Sequence, residues 1–350
     1  MKNLFNKKIL TALSVTIAAI LINGCLEEVI PPPFTGELNV TAEMLVYLEE
    51  QGDFTNSNFA PPLVTAQEVF DNLDDYLILD LRTQDEYLMG HIENAINISA
   101  DSMYDYIADH HDSSYTKIVL ASKSGQGSAY YASLIRLAGF GKVYSLKYGM
   151  ASWNIVFADE WLNAVGDDPN VFTFNNDIYP KNELTDLPNL PIDKPNAPIE
   201  EIIQARIKKI INEGFNFTHS YITGLFAVND AYLICYGQRK LYNASRNVPL
   251  PLLGHPEGTV QYFDSPDFEF RSTDYLQTLP NNREIVIYSY NGQLSASMTA
   301  YLKILGYKVK TYLFGGNALF YSRMITAIGL MEYAFTSSDI MNFDYVTGNQ

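Results

Sequence analysis

Two polar, glycine-containing loops hold the residues best suited to chemistry. The first loop runs through Ser122, Lys123, Ser124, Gly125, Gln126, Gly127 and Ser128, and the second through Ser289, Tyr290, Asn291, Gly292, Gln293, Leu294 and Ser295. Each loop follows an apolar, β-rich run and precedes a segment with helical spacing. Because a loop that opens a helix directs unpaired backbone N–H groups and the helix dipole at one point, both loops are candidate anion-binding sites.

The two loops belong to an internal repeat. The first copy reads IVLASKSGQGSAYYASLIRLAGFGKVYSLKYGM from Ile118, and the second reads IVIYSYNGQLSASMTAYLKILGYKVKTYLFGGN from Ile285. An offset of 167 residues without a gap carries Ser122 onto Ser289 and Gly149 onto Gly316. Strands that alternate with helices in both copies predict an α/β fold with two tandem domains, each a mostly parallel central sheet flanked by helices.

The first copy resembles the rhodanese family, whose strand-to-helix loop begins with a cysteine. Tyr76–Arg82 has the family's pattern of a buried strand ending in Asp-x-Arg, and Gly90–Ala95 has its Gly-His-Ile motif. The second copy keeps Gly-His at 254–258 but has Cys235 and Gly237 where the first has the aspartate and the arginine. The resemblance implies two tandem rhodanese-like domains, of which the second is the more divergent.

The loops lack the atom that rhodanese chemistry requires. Sulfur transfer in the family passes through a persulfide on the loop cysteine, which must ionise to a thiolate. Ser122 and Ser289 cannot replace it, since neither loop places a base beside the hydroxyl. Gly127 and Leu294 stand where many members carry an arginine, and Lys123 is the one cationic side chain in either loop. We therefore assign no catalytic residue and predict no thiosulfate sulfurtransferase activity.

Three other side chains, Cys235, His91 and His255, are candidates for chemistry. Cys235 ends an apolar strand, where a ligand site is one interpretation and a small core side chain the more common one. His91 and His255 are isolated in the sequence, so we predict no metal site and no cofactor. We interpret Asp80, Arg82 and His91 as structural residues that form an ion pair and a turn.

The N-terminus predicts a lipid anchor. Lys2, Lys7 and Lys8 precede an uncharged apolar run over Ile9–Ile22, which is too short to span a membrane, and Gly24-Cys25 follows. This layout resembles a bacterial lipoprotein signal, which implies cleavage before Cys25 and acylation of its thiol. An ordinary signal peptide is the alternative.

The remaining chain divides into four predicted segments. After the signal peptide, 1–24, we expect an anchor and tether at 25–62, a first rhodanese-like domain at 63–165, a linker at 166–197, and the second domain at 198–350. Residues 25–350 carry 20 basic and 40 acidic side chains, a net charge of −20. This charge disfavours nucleic acid as a partner.

Three functions remain open at this stage. The favoured hypothesis is a lipid-anchored, catalytically inactive tandem protein that binds or scaffolds other components of the cell envelope, at the outer membrane or the periplasmic face. Its ligand would be an unknown envelope protein or a small anion. The alternatives are an unusual sulfurtransferase that relies on Cys235 or on a partner's thiol, and a purely structural envelope protein.

Overall fold

The computed structural model describes residues 39–51, 62–111, 113–168, 174–175, 177–191, 197–218, 231–238, 242, 254–263, 270, 273–326 and 330–348. The segment Asn39–Gln350 is one compact unit. The predicted signal peptide and Cys25 lie outside the described residues. Within those residues, no helix has the length and apolar character needed to cross a membrane.

The first half is built around a five-stranded parallel sheet. Its strands are β1 (Leu63–Val64), β2 (Tyr76–Asp80), β3 (Ile96–Asn97), β4 (Lys117–Ala121) and β5 (Val143–Leu146), in the order β1-β5-β4-β2-β3. Strands β2 and β4 are buried on both faces, because helices cover the sheet on each side. The helices are α2 (Ala66–Phe70), α3 (Gln84–Met89), α4 (Ala100–His110), α5 (Gln126–Leu137), α6 (Met150–Trp153) and α7 (Asp159–Ala164).

The second half repeats this topology. A second five-stranded parallel sheet contains β7 (Phe217–Thr218), β8 (Ala231–Cys235), β10 (Val260–Gln261), β11 (Glu284–Tyr288) and β12 (Val309–Tyr312), in the order β7-β12-β11-β8-β10. Its helices include α8 (Ile199–Glu213), α9 (Thr273–Leu276), α10 (Gln293–Ile304), α11 (Gly316–Leu319) and α12 (Tyr321–Met324). A short antiparallel pair joins β6 (Phe174–Asn175) to β9 (His255–Pro256). The predicted fold of two parallel sheets flanked by helices is confirmed.

Equivalent residues of the two halves are 167 positions apart as far as the glycine that follows α5 in the first half and α10 in the second. This offset relates β4 to β11 and α5 to α10, and Gly139 to Gly306, which both have positive φ. One residue is then missing from the second copy, and the offset becomes 166. Gly149 has φ 62° and corresponds to Gly315 with φ 53°, so the gapless pairing of Gly149 with Gly316 is wrong.

Helices α5 and α10 pack against each other and join the two halves in one hydrophobic core. The Ser133 hydroxyl donates to the carbonyl of Ser297 at 3.1 Å, and the Ser297 hydroxyl donates to the carbonyl of Ala129 at 3.3 Å. Serine and alanine at this contact allow the helix backbones to approach closely.

Two terminal segments depart from the predicted division. Helix α1 (Val40–Gln51) falls within the predicted tether, yet it buries Met44, Leu45 and Leu48 against the shared core and contacts α8. Apolar side chains at helical spacing explain this packing.

At the other end, the C-terminal strap, residues 340–348, lies within the segment predicted as the second domain. It makes contacts with the first half. The N–H of Phe343 donates to the carbonyl of Trp153, and Val346 pairs with His91. The predicted linker also packs against the protein. Leu187 is buried, and the N–H of Thr185 donates to the carbonyl of Gln277.

Candidate functional site

The first loop turns tightly between β4 and α5. Gly125 adopts φ 81° directly before the helix, and the carbonyl of Ser122 accepts the N–H of Met150 at 2.9 Å. Gly149 lies so close that an added Cβ would stand 2.2 Å from the Ser122 carbonyl oxygen, so only glycine fits there. The equivalent position, Gly315, would place a Cβ 1.8 Å from the Ser289 carbonyl oxygen. This close contact explains why a glycine follows the last strand of each sheet, β5 and β12.

Within the described residues, the hydrogen bonds of the Ser122 hydroxyl join it to hydroxyl and backbone groups. Its Oγ accepts the N–H of Ser128 at 3.2 Å and donates to the Ser128 hydroxyl at 3.0 Å. The Ser128 hydroxyl is in turn 2.8 Å from that of Ser145. In the part of the chain that the structure describes, no hydrogen bond joins Ser122 to a histidine or a carboxylate, so no base is in place to activate its hydroxyl as a nucleophile.

Acidic side chains balance the charge of the loop lysine. Lys123 forms an ion pair with Glu86, and Glu160 lies 3.7 Å from its Nζ. The hydrogen bond that Lys123 donates to Glu86, together with the nearby carboxylates, raises the pKa of Lys123. Burial alone would raise the pKa of Glu86, but hydrogen bonds from Lys123 and Thr83 outweigh it, so that pKa is lowered. Lys123 therefore does not leave the loop with an excess of positive charge.

The neighbouring Asp80 and Arg82 neutralise each other. Arg82 Nη2 is 2.5 Å from Asp80 Oδ2, Arg82 Nε also contacts the carboxylate, and Arg82 Nη2 donates to the carbonyl of Gly90 at 2.7 Å. Both side chains are almost fully buried, and the guanidinium carbon lies 5.1 Å from the ring centroid of Phe157. This is the structural role predicted for the Asp-x-Arg motif.

The first loop opens into a cleft between the two halves. A cavity of about 660 Å³ is bounded on one side by Ser122, Ser124 and Gly127, and on the other by aromatic and aliphatic residues of the second half. Those residues are Phe215, Phe217, Leu313 and Phe314. A second cavity of about 240 Å³ adjoins it, and the two share Arg82, Glu86, Lys123 and Glu160. We call these two cavities together the first-loop groove.

The second loop is closed. Ser289 is 1% exposed, and its hydroxyl contacts Ser295 in the same way that Ser122 contacts Ser128. The side-chain oxygen of Asn291 accepts the N–H groups of Gln293 and Leu294 at 3.2 and 3.3 Å. An amide oxygen of the protein thus occupies the position where an anion would meet the start of α10.

Two loop glutamines cross between the halves. Gln293 accepts the N–H of Tyr148 at 2.9 Å and donates to the carbonyl of Gly125 at 3.1 Å, in the turn of the first half. Gln126 accepts the N–H of Phe314 at 2.6 Å, in the turn of the second half. Both are fully buried, so they connect the halves rather than line a ligand site.

The remaining candidate groups are buried inside the protein. Cys235 is completely buried, and burial raises the pKa of its thiol to about 12, so that thiol is not ionised at neutral pH. His91 stacks on Tyr87, and His255 stacks on Tyr242; burial lowers the pKa of His255. Within the described residues, no group of three or more His, Cys, Asp or Glu side chains could hold a metal ion.

The structure therefore brings Ser122, Lys123, Ser124 and Gly127 to one cleft, and separates them from Ser289 and Cys235. Sequence reasoning missed Glu86 and Glu160 as partners of Lys123. Thr83-x-x-Glu86 does form a capping box at the start of α3, which its spacing indicates. That pattern places Glu86 on the first turn of a helix, but it does not indicate contact with a loop about 40 residues later.

Comparison with known proteins identifies part of the chain. Residues 65–155 match the family described as the rhodanese-like domain. The chain is 31% identical over 87 residues to the uncharacterized protein YibN of Escherichia coli, across 23% of this chain, and spans 58% of YibN. It is 27% identical over 95 residues to the thiosulfate sulfurtransferase GlpE of Ectopseudomonas mendocina, across 27% of this chain and 84% of that protein.

A solved thiosulfate sulfurtransferase from Pseudomonas aeruginosa aligns with a TM-score of 0.25 and 12% identity, over 89% of this chain and 70% of its own. The family match begins one residue before α2 and ends two residues after α6, and so contains β2, β4, the first loop and α5. Over residues 65–155, the chain is therefore similar to the rhodanese-like domain.

Proposed function

We propose that this protein is a catalytically inactive rhodanese-like protein that is tethered to the membrane through a lipid on Cys25 and binds a partner in the cell envelope. Two observations support the proposed lack of activity: both loops begin with serine, and the thiol of Cys235 is fully buried, which raises its pKa to about 12. A persulfide needs an accessible thiolate, which the described residues do not supply.

The alternative of a sulfurtransferase that uses Cys235 is not favoured. The thiol is enclosed by Tyr290, whose hydroxyl lies 4.0 Å from Sγ, and by the rest of a hydrophobic cluster. A substrate anion would have to enter that cluster of apolar and aromatic side chains, and burying a charge among such side chains is costly.

Thiosulfate-to-cyanide sulfur transfer tests the proposal. We expect the wild-type protein and Cys235→Ser to show only background turnover. Ser122→Cys should gain more activity than Ser289→Cys, because residue 122 faces a cavity and residue 289 is buried. Robust wild-type turnover that disappears in Cys235→Ser would refute the proposal.

Labelling with a soluble maleimide provides the matched control for access. In a Cys25→Ala, Cys235→Ser background, a cysteine at position 122 should react readily in the folded protein. A cysteine at position 289 should react only after denaturation. Equal labelling of the two sites would contradict the contrast between an open and a closed loop.

The lipid anchor is tested separately. Cys25→Ala should leave the precursor uncleaved by the lipoprotein pathway, and metabolic labelling with a fatty acid should mark the wild type alone. Recovery of the wild type as a soluble, unacylated protein would refute the anchor.

A further inference from the structure

The first-loop groove has a charge opposite to that expected for an anion site. Asp80 cancels the charge of Arg82, which leaves one lysine and three carboxylates, Glu86, Asp159 and Glu160, along its two cavities. The local formal charge is therefore −2. Asp159 and Glu160 are exposed at the rim, where a ligand can reach them.

The groove is also large and partly apolar. Its larger cavity, about 660 Å³, lies in the range of sites that hold sizeable organic groups and far exceeds the volume of an inorganic anion. Apolar side chains stand exposed at both ends: Met89 and Val156 are 67% and 58% exposed at one, and Phe217 is 42% exposed at the other. Glu86 and Glu160 line both cavities, and Asp159 lines the smaller one together with Met89 and Val156.

We propose that the first-loop groove binds a segment of a partner protein in which an arginine or lysine is flanked by apolar side chains. The inference rests on the proposed binding function. The cationic group would meet Asp159 and Glu160 at the rim, and the apolar side chains would cover Val156 on one side and Phe217 on the other. Charge complementarity favours a basic segment over the small anion expected from the sequence.

A matched series of peptides tests this proposal by calorimetry on the full chain. The probes are N-acetylated, amidated Phe-Arg-Phe, Phe-Gln-Phe and Phe-Glu-Phe, with phenethylamine as a small organic cation. We expect the arginine peptide to bind about fivefold more tightly than the glutamate peptide, which corresponds to the roughly 1 kcal/mol that a charge pair at an exposed rim can contribute. Added salt should reduce that preference.

Three variants locate the binding site. Asp159→Asn with Glu160→Gln should remove most of the preference for arginine, and Val156→Ser should weaken all three peptides similarly. Glu284→Gln, which changes an exposed ion pair with Lys310 in the second half, should change nothing and serves as the control.

Four results would overturn the proposal: equal or tighter binding of the glutamate peptide, no binding of any peptide at millimolar concentration, a preference for arginine that survives the rim variants, or phenethylamine binding as tightly as the peptide. Sulfur transfer by the wild type would refute the inactive-enzyme proposal without changing how the peptide series is interpreted. The two proposals can thus fail separately.

Discussion

The first and second loops have the same backbone fold and opposite surroundings. Ser122 and Ser289 follow equivalent strands, precede equivalent helices and make equivalent hydrogen bonds to Ser128 and Ser295. Yet the first loop borders a cleft, whereas the second is buried. The repeated fold thus maintains two loop geometries, and only one of them can meet a ligand from solution.

At two equivalent positions, the side chains of the second loop make contacts inside the protein, whereas those of the first loop are polar and border a cleft. Tyr290 stands where the first loop has Lys123, and it is 5% exposed in a cluster with Phe320 and Tyr333. Asn291 stands where the first loop has Ser124, and its side chain satisfies the start of α10. These changes convert a candidate anion site into part of a hydrophobic core.

We expect the largest effect at the Asp80-x-Arg82 motif, which precedes the first loop and has no counterpart in the second half. Arg82→Ala should lower the free energy of unfolding by about 3–5 kcal/mol, because it leaves the buried carboxylate of Asp80 without its cationic partner. Urea denaturation measures the change. As a control, Lys310→Ala breaks an exposed ion pair with Glu284 and should cost less than about 1 kcal/mol. Similar losses for both variants would show that the buried ion pair contributes no more to stability than the pair of Lys310 with Glu284.

Gln126 and Gln293, which each form hydrogen bonds with the other half, allow a comparison within the interface. Gln293→Ala and Gln126→Ala should each lower the free energy of unfolding by about 1–3 kcal/mol. Gln293→Ala leaves the buried N–H of Tyr148 without its acceptor, and Gln126→Ala does the same to the N–H of Phe314. Gln293→Ala should cost more, because Gln293 also donates to two carbonyls of the first turn. The double variant completes a thermodynamic cycle. A larger loss for Gln126→Ala would contradict this ranking.

A smaller effect distinguishes the two helix starts. Asn291→Ala should destabilise the protein by about 1 kcal/mol, since its side chain caps two N–H groups of α10. Ser124→Ala removes only a 3.4 Å contact with Gln126 and should cost a few tenths of a kcal/mol. Thermal unfolding of both variants checks the difference. Equal losses would mean that Asn291 does not act as a cap.

Much of the fold could be predicted from the sequence because local patterns determine it. Apolar runs over 76–80 and 117–121 became buried strands, and the loop between Ser122 and Gln126 led into a helix as predicted. The single-residue deletion after Gly306 was missed, since Gly315 and Gly316 are adjacent and either can be aligned with Gly149. Only the φ angle and the contact with Ser289 distinguish them.

The site was harder to predict because it depends on contacts between distant segments. Glu86 reaches Lys123 across 37 residues, and Gln293 reaches Tyr148 across 145. The C-terminal strap likewise gives no local sign that it packs on the first half, where Trp153 donates to the carbonyl of Asp344. Such pairings are consequences of the tertiary fold, and residue types and periodicity do not encode them.

The smallest expected effect concerns pH and belongs to the first loop alone. The pKa of Glu86 is lowered in the folded protein, so the stability it contributes is present above its unfolded pKa, near 4.5, and is lost as pH falls through the lowered folded pKa. Because Lys123 is half exposed, we expect less than about 1 kcal/mol. Urea denaturation between about pH 6 and 3 should show a shallower loss of stability for Glu86→Gln than for the wild type. Lys123→Gln should reduce the slope only in part, since Thr83 still donates to the carboxylate. An unchanged slope in Glu86→Gln would show that this ion pair does not contribute to stability.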